Sequence, residues 1–400
     1  MANIYVGRQP IYDRDMKVFA YEILYRSGDV SAARVTDGNL ATSQVLLNAI
    51  YEIGLDKLTD NRPAFFNLTR DFLMKDLDLP KEGVVLEVLE DIDITDDVTD
   101  AVRKLVKKGY RIALDDFVFE DKWAPLLEMA FVIKVEVPAV KPEEAAGLVA
   151  KLKPYKARLL AEKVETHEEY ELYRNMGFHY FQGYFFCKPK VVEHKSVAPG
   201  QLAVLRLMAQ IQSPKADVAE LERVIATDPP LSFKLLKYLN SPGMGLRHRI
   251  QSIRQAVTYL GLKPLRTWAT LLAMTNIKGK PSELTKTALI RAKTCEFWAE
   301  ALKLPETDRF FMAGLLSTLD ALMDLPLDEV IKELPLADEV VNGLLKGEGD
   351  VGRILGLVMQ SEKGQWDKTA NMERRTGVNF NELQMRAMIW ADEQMREIGV

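Results

Sequence analysis

Hydrophobic positions in the first half of this chain fall into short runs, each carrying a polar residue at or near its carboxyl end. FFNLT carries Asn67, VVLEVLE carries Glu87 and Glu90, IALDDF carries Asp115 and Asp116, FVIKVEV holds Lys134, LLAEKVE carries Glu162 and Glu165, and YFQGYFF holds Gln182. Short runs rich in Val, Ile, Leu and Phe read as buried strands. Between them lie segments of helical spacing, such as TDAVRKLVKKG up to Gly109 and HEEYELYRNMG up to Gly177, where glycine takes the left-handed stop without steric cost. This alternation predicts an α/β fold in which the strands close into a TIM-like βα barrel. The sites of such folds lie at the carboxyl ends of the strands.

The chain opens differently. IYVGRQPIYD, a polar turn at Asp13 to Asp15, and KVFAYEILYR read as an antiparallel hairpin whose second strand presents Glu22 and Arg26. A helix is expected over TSQVLLNAIYEIGL, and DIDITDDVTD reads as a helix start capped by Asp and Thr rather than as a calcium loop, because the loop glycine and terminal Glu are missing. Around Lys188 to Gly200 the pattern breaks at prolines and glycine. Beyond it the apolar residues recur at helical spacing only, through VAELERVIA, LSFKLLKYL, IRQAVTYLG, LRTWATLLAM, ALIRAKTCEFWAEAL, RFFMAGLLSTLDALM and NELQMRAMIWADEQMREIG. The expected organisation is a barrel over residues 1–195 and an all-helical domain over 196–400.

Composition narrows the classes. The 400 residues are 48% hydrophobic and 28% charged with a formal net charge of -5, so no general attraction draws the protein to DNA or to anionic lipid. Neither DNA nor membrane is expected as a partner. Cys187 and Cys295 stand far apart with no metal-ligand spacing, and read as two reduced thiols. MANIYVGRQP has no signal-peptide pattern and no apolar run reaches the ~20 residues a bilayer needs, so the expected location is the cytoplasm.

The strand-end residues suggest metal chemistry, because oxygen ligands gathered around one ammonium suit a hard divalent cation such as Mg²⁺ or Mn²⁺. Lys134 is the most telling, since a lysine inside a continuous apolar strand needs carboxylates around it. Glu162, at the end of another such strand, is the candidate general base, as burial raises its proton affinity. Asp115 and Asp116 are adjacent, so one serves as a direct ligand while the other bends in with the loop; alone, they also fit a helix cap. Glu87 and Glu90 by spacing alone carry little information.

Taken in order, YEILYR, FFNLT, LEVLE, ALDDF, IKVEV, AEKVET and QGYFFCKP resemble the motifs of the EAL-domain proteins of bacterial cyclic di-GMP signalling. The resemblance implies that Glu22, Asn67, Glu87, Asp115 and Asp116 are metal ligands, that Lys134 holds the attacking water and that Glu162 is the base. It also implies that Gln182 and Glu165 complete the site, and that Gln9 and Arg26 meet the dinucleotide, Arg26 through phosphate, while the three-residue spacing of Glu87 and Glu90 lets one meet metal and the other hold a loop. The reaction implied is metal-assisted hydrolysis of one phosphodiester of cyclic di-GMP. The pattern departs at Ile23 and over Val118 to Leu126, where active members carry a glycine- and serine-rich loop. Two readings therefore stand: a phosphodiesterase, or an inactive fold acting as nucleotide receptor or scaffold.

The helical half resembles the HDOD module through IATDPPLSFKLLKYLNSPG, IRQAVTYLG and FMAGLLSTLD. Its only histidine is His248, and Ser317-Thr318 stands where catalytic relatives place His-Asp, so it is expected to dock or regulate rather than hydrolyse. The expected partners are cyclic di-GMP and a protein bound through the helical domain, with homodimerisation left open.

Overall fold

The computed structural model describes residues 4–27, 54–75, 80–137, 142–188, 199–213, 216–241, 244, 249–275, 277, 280–365 and 367–398. Most of the helix expected over residues 42–55, the linker at 189–198, His248, the turn residues Pro242 and Gly243, and the side chain of Arg26 lie outside them. The chain divides into two compact units, Met1–Phe186 and Cys187–Val400.

The first unit is a closed barrel of β1 (Ile4–Tyr12), β2 (Val18–Ser27), β3 (Ala64–Leu68), β4 (Val84–Val88), β5 (Arg111–Leu114), β6 (Ala130–Glu136), β7 (Arg158–Glu162) and β8 (Tyr180–Gln182), paired in chain order. β1 runs antiparallel to both β2 and β8, and every other pairing is parallel. The hairpin and the βα alternation expected from the sequence are both present.

Side chains alternate between the two faces of a strand, so the barrel interior fills in layers. One layer takes a single buried residue from each strand: Ile11, Ala20, Phe65, Val85, Ala113, Val132, Leu160 and Tyr180. The opposite face of the strands, with Ile23, Phe66, Leu86, Leu114, Ile133, Ala161 and Phe181, is equally buried, which is why these strands read as continuous apolar runs.

Closure at β8 requires glycine. Gly183 has φ +150°, and a Cβ there would sit 2.0 Å from the Val164 carbonyl oxygen. This close approach lets the Val164 N–H donate to the Gln182 carbonyl at 3.0 Å and Phe185 N–H to Val164 at 3.3 Å, which locks the end of β7 to the end of β8.

The acidic segment opens the helix Asp96–Lys107, with Asp96 and Asp97 in its first turn complementing the helix dipole. Thr95 is at the N-cap but makes no capping hydrogen bond to the backbone; its hydroxyl instead donates to the Asp97 carboxylate, which also pairs with Arg70 at 2.7 Å.

The second unit is helical throughout its described residues. Asp228 caps the helix Pro229–Leu239 by accepting from Leu231 N–H at 3.0 Å, and the two prolines occupy the first turn, where no N–H is missed. The run RFFMAGLLSTLDALM does not form one helix. It breaks into Asp308–Leu316 and Leu319–Met323, because the hydroxyls of Ser317 and Thr318 bond back to the carbonyls of Gly314 and Leu315. The helices Leu327–Lys332, Asp338–Lys346, Gly349–Glu362 and Asp367–Thr376 lie between the runs read from periodicity. A core of Cys295, Trp298, Phe310, Val340, Ile354, Leu355 and Phe380 holds several of these together.

Candidate active site

Adding two residues to each member of the apolar layer on β2 to β8 leads to Glu22, Asn67, Glu87, Asp115, Lys134, Glu162 and Gln182. On β1, which runs the other way, subtracting two from Ile11 leads to Gln9, registered opposite Glu22. A two-residue step along a strand returns to the same face, so these eight polar residues are the next interior layer, at the carboxyl ends of the parallel strands. Asp115 follows the last residue of β5, yet its N–H still bonds Val88 at 3.0 Å and carries the ladder one step further.

Lys134 is the centre of this layer. Its side chain is 1% exposed, and its Nζ lies 2.8 Å from Asp115 Oδ1, 2.9 Å from Glu162 Oε1, 3.1 Å from Glu87 Oε2 and 3.4 Å from Glu22 Oε2. Gln182 Nε2 donates to Glu22 Oε2 at 2.6 Å.

Burial alone pulls the ammonium of Lys134 down, but Glu162, Glu22, Glu87 and Asp115 together hold it well above its ordinary value. The same burial pushes the Glu87 carboxyl well above the usual range and that of Glu162 up to about 8, with Lys134 opposing and the neighbouring carboxylates adding. One ammonium cannot balance four carboxylates in this low-dielectric space, so some retain protons until more positive charge arrives.

The donor atoms fit a hard cation. Asn67 Oδ1, Glu87 Oε1, Glu162 Oε2 and Gln182 Oε1 are buried and have no hydrogen-bond partner among the described residues. Buried oxygens are normally satisfied, and four acceptors without a donor at one barrel end are what a divalent ion with oxygen preference would satisfy. Asp115, Asp116 and Glu162 each offer an oxygen, and these lie within 4.8 Å of one another.

Asp116 reaches the site because its backbone turns left-handed at φ 37°, which breaks the strand alternation that would otherwise send it outward. Burial raises the Asp116 carboxyl, as does Asp115 beside it, while Lys163 opposes. Gln9 is half-buried in the layer. Glu90 and Glu165 are exposed; the Glu90 carboxylate adds to the upward push on Asp116, and the Glu165 N–H donates to Glu169 Oε2 at 2.7 Å, beside the capping box that opens the helix His167–Met176.

Two residues were not singled out by the sequence. Glu136 lies two positions beyond Lys134 on the same face of β6, and Lys163 follows Glu162; the Lys163 Nζ is 2.7 Å from Glu136 Oε2 and 4.0 Å from Asp116 Oδ2. The spacing Lys-x-Glu in FVIKVEV was the available signal for Glu136. For Lys163 none existed, since its approach depends on a left-handed φ of 54°.

Sequence models of two domain families match the chain: the EAL domain over residues 40–189 and the HDOD domain over residues 201–329. The cyclic di-GMP phosphodiesterase CdgJ of Vibrio cholerae serotype O1 is 32% identical over 408 residues, spanning 100% of this chain and 94% of that protein. The chain belongs to the EAL–HDOD family. The uncharacterized protein YuxH of Bacillus subtilis is 33% identical over 385 residues, covering 92% of this chain and 93% of its own.

Among solved structures, an EAL domain protein from Listeria monocytogenes covers 46% of this chain and 87% of its own at 18% identity and a TM-score of 0.38. YkuI of Bacillus subtilis, an EAL-domain protein solved with cyclic di-GMP and calcium, covers 64% and 73% at 19% identity and a TM-score of 0.39. No helix among the described residues of this EAL–HDOD chain is long and apolar enough to cross a membrane.

Proposed function

We propose that the barrel binds cyclic di-GMP with Mg²⁺ or Mn²⁺ at its mouth and hydrolyses one phosphodiester to give the linear dinucleotide. The observation that carries this reading is the interior polar layer, in which four carboxylates surround Lys134 and four buried oxygens have no donor among the described residues. Full-length similarity to a protein named as a cyclic di-GMP phosphodiesterase supports the choice of substrate.

In this reading Glu22, Asn67, Glu87, Asp115 and Asp116 hold the cation. When bound, it lowers the pKa of a coordinated water and neutralises charge developing on the phosphate. Glu162 is the proton acceptor: its Oε1 is pinned by Lys134 at 2.9 Å while Oε2 is left without a partner. Lys134 sets the orientation of four carboxylates at once and holds the attacking water. Gln182 keeps Glu22 in place through its 2.6 Å bond. Gln9 and Arg26 meet the dinucleotide, Arg26 by a charge-assisted grip on phosphate, and Glu90 and Glu165 support the loops of the rim.

The helical unit acts as a regulatory or docking module for a protein partner. Its Ser317 hydroxyl, where catalytic relatives are expected to carry a ligand, is taken by Arg291 Nη1 at 2.7 Å.

The test is incubation of the purified chain with cyclic di-GMP and Mn²⁺, following the linear product, with Glu162→Ala beside it. Turnover in the wild type and a loss of about 10²-fold or more in the variant is the expected outcome. A second reading, a receptor without turnover, is favoured by the segment Val118 to Leu126. It has no glycine and folds into a short 3₁₀ turn, Asp121–Trp123, with Trp123 buried against Phe117 at 5.7 Å between ring centroids. Tight nucleotide binding with no product would select it.

A further inference from the structure

Lys163 is placed oddly for a surface lysine. Its backbone is left-handed at φ 54°, between two buried residues, Glu162 and Val164. A residue with a Cβ is uncommon there and glycine is the undemanding choice, so an outlier of this kind beside a candidate site points to work done by the side chain. The side chain is 55% exposed, and its ammonium still turns inward over the rim to Glu136 Oε2 at 2.7 Å and Asp116 Oδ2 at 4.0 Å. Asp116 is one of three residues whose ligand oxygens lie within 4.8 Å of one another.

We propose that the Lys163 ammonium is a tethered competitor for the divalent cation held by Asp115 and Asp116 beside Glu162, and that the cation binds as Lys163 releases Asp116. The inference rests on the cation-binding part of the function proposed above. Two positive charges drawn to one carboxylate repel one another, and the divalent ion feels that repulsion twice as strongly as a monovalent one would. Glu136 supplies the resting place: the ammonium remains paired there after leaving Asp116, and its exposure leaves it free to move. The site is thereby set to fill at a higher cation concentration than its oxygens alone would require.

The test is Mn²⁺ binding to the chelator-stripped full-length chain, read from the electron paramagnetic resonance of free Mn²⁺. Lys163→Ala removes the charge, Lys163→Gly removes the charge and relieves the backbone, Lys163→Arg keeps the charge, and Lys107→Ala removes an exposed lysine from a helix of the same unit. The expected result is about threefold to tenfold tighter binding in both Ala and Gly variants, with Arg and Lys107→Ala near wild type. Wild-type affinity in Lys163→Ala overturns the inference while leaving the cation reading intact. Tightening in Gly but not in Ala assigns the effect to backbone strain and overturns it equally. A wild-type chain that binds no Mn²⁺ removes both the inference and the cation reading.

Discussion

Lys134 is buried at the cost of desolvation, and that cost is offset because four carboxylates reach it within 3.4 Å. The balance is lopsided: among the described residues Lys134 is the cation paired with Glu22, Glu87, Asp115 and Glu162, and removing its ammonium leaves those buried acids without it. Lys134→Met is therefore expected to destabilise the metal-free chain by about 3–5 kcal/mol in urea unfolding, with Mn²⁺ restoring part of the loss. A near-neutral effect would mean that the carboxylates shed their charge by protonation. Lys134 was legible in the sequence because a lysine between Ile133 and Val135 in an apolar run has no other reason to be there. Lys163 was not, because nothing in AEKVE distinguishes a solvated lysine from one turned back over the rim by its own backbone.

At the scale of elements, the site is a consequence of register. Glu22, Asn67, Glu87, Asp115, Lys134, Glu162 and Gln182 share a layer because each stands two residues past a buried apolar neighbour that already shares one. The join between β7 and β8 is the narrowest part of this arrangement. Gly183→Ala is expected to cost about 3 kcal/mol, seen as a lowered melting temperature, and to weaken nucleotide binding by displacing Gln182, because its Cβ would meet the Val164 carbonyl at 2.0 Å. An unchanged melting temperature would show that the two strand ends separate without penalty. Strand positions were readable from apolar runs, and most helices from their spacing. The break at Ser317-Thr318 was not, because the hydroxyls' return to Gly314 and Leu315 competes locally with a pattern that otherwise favours one helix. Nor did spacing reveal the helices Leu327–Lys332 and Gly349–Glu362, which the tertiary core completes.

For the whole molecule, the acidic layer ties stability to pH and to cation. Burial first, then the neighbouring carboxylates against Lys134, pushes the Glu162 carboxyl from its ordinary 4.5 to about 8, so between those values the folded chain keeps a proton that the unfolded chain has lost. Stability falls with rising pH wherever the native state binds more protons, so the metal-free protein is expected to lose stability from about pH 5 to pH 8. A cation bound as proposed would displace that proton, so the gain in melting temperature on adding Mn²⁺ should be larger near pH 8 than near pH 5.5. Equal gains at both values would show that the carboxylates are ionised before the cation arrives. The sequence by itself determined the two-part organisation, the hairpin, the barrel and the set of strand-end residues, because periodicities of 2 and 3.6 and the aversion of charge to burial act locally. Only the tertiary structure decided which of Asp115 and Asp116 bends in, that Lys163 lies across Asp116 and Glu136, and that four oxygens find no donor among the described residues. Those facts depend on backbone turns and on distances between side chains far apart along the chain, which no local pattern encodes.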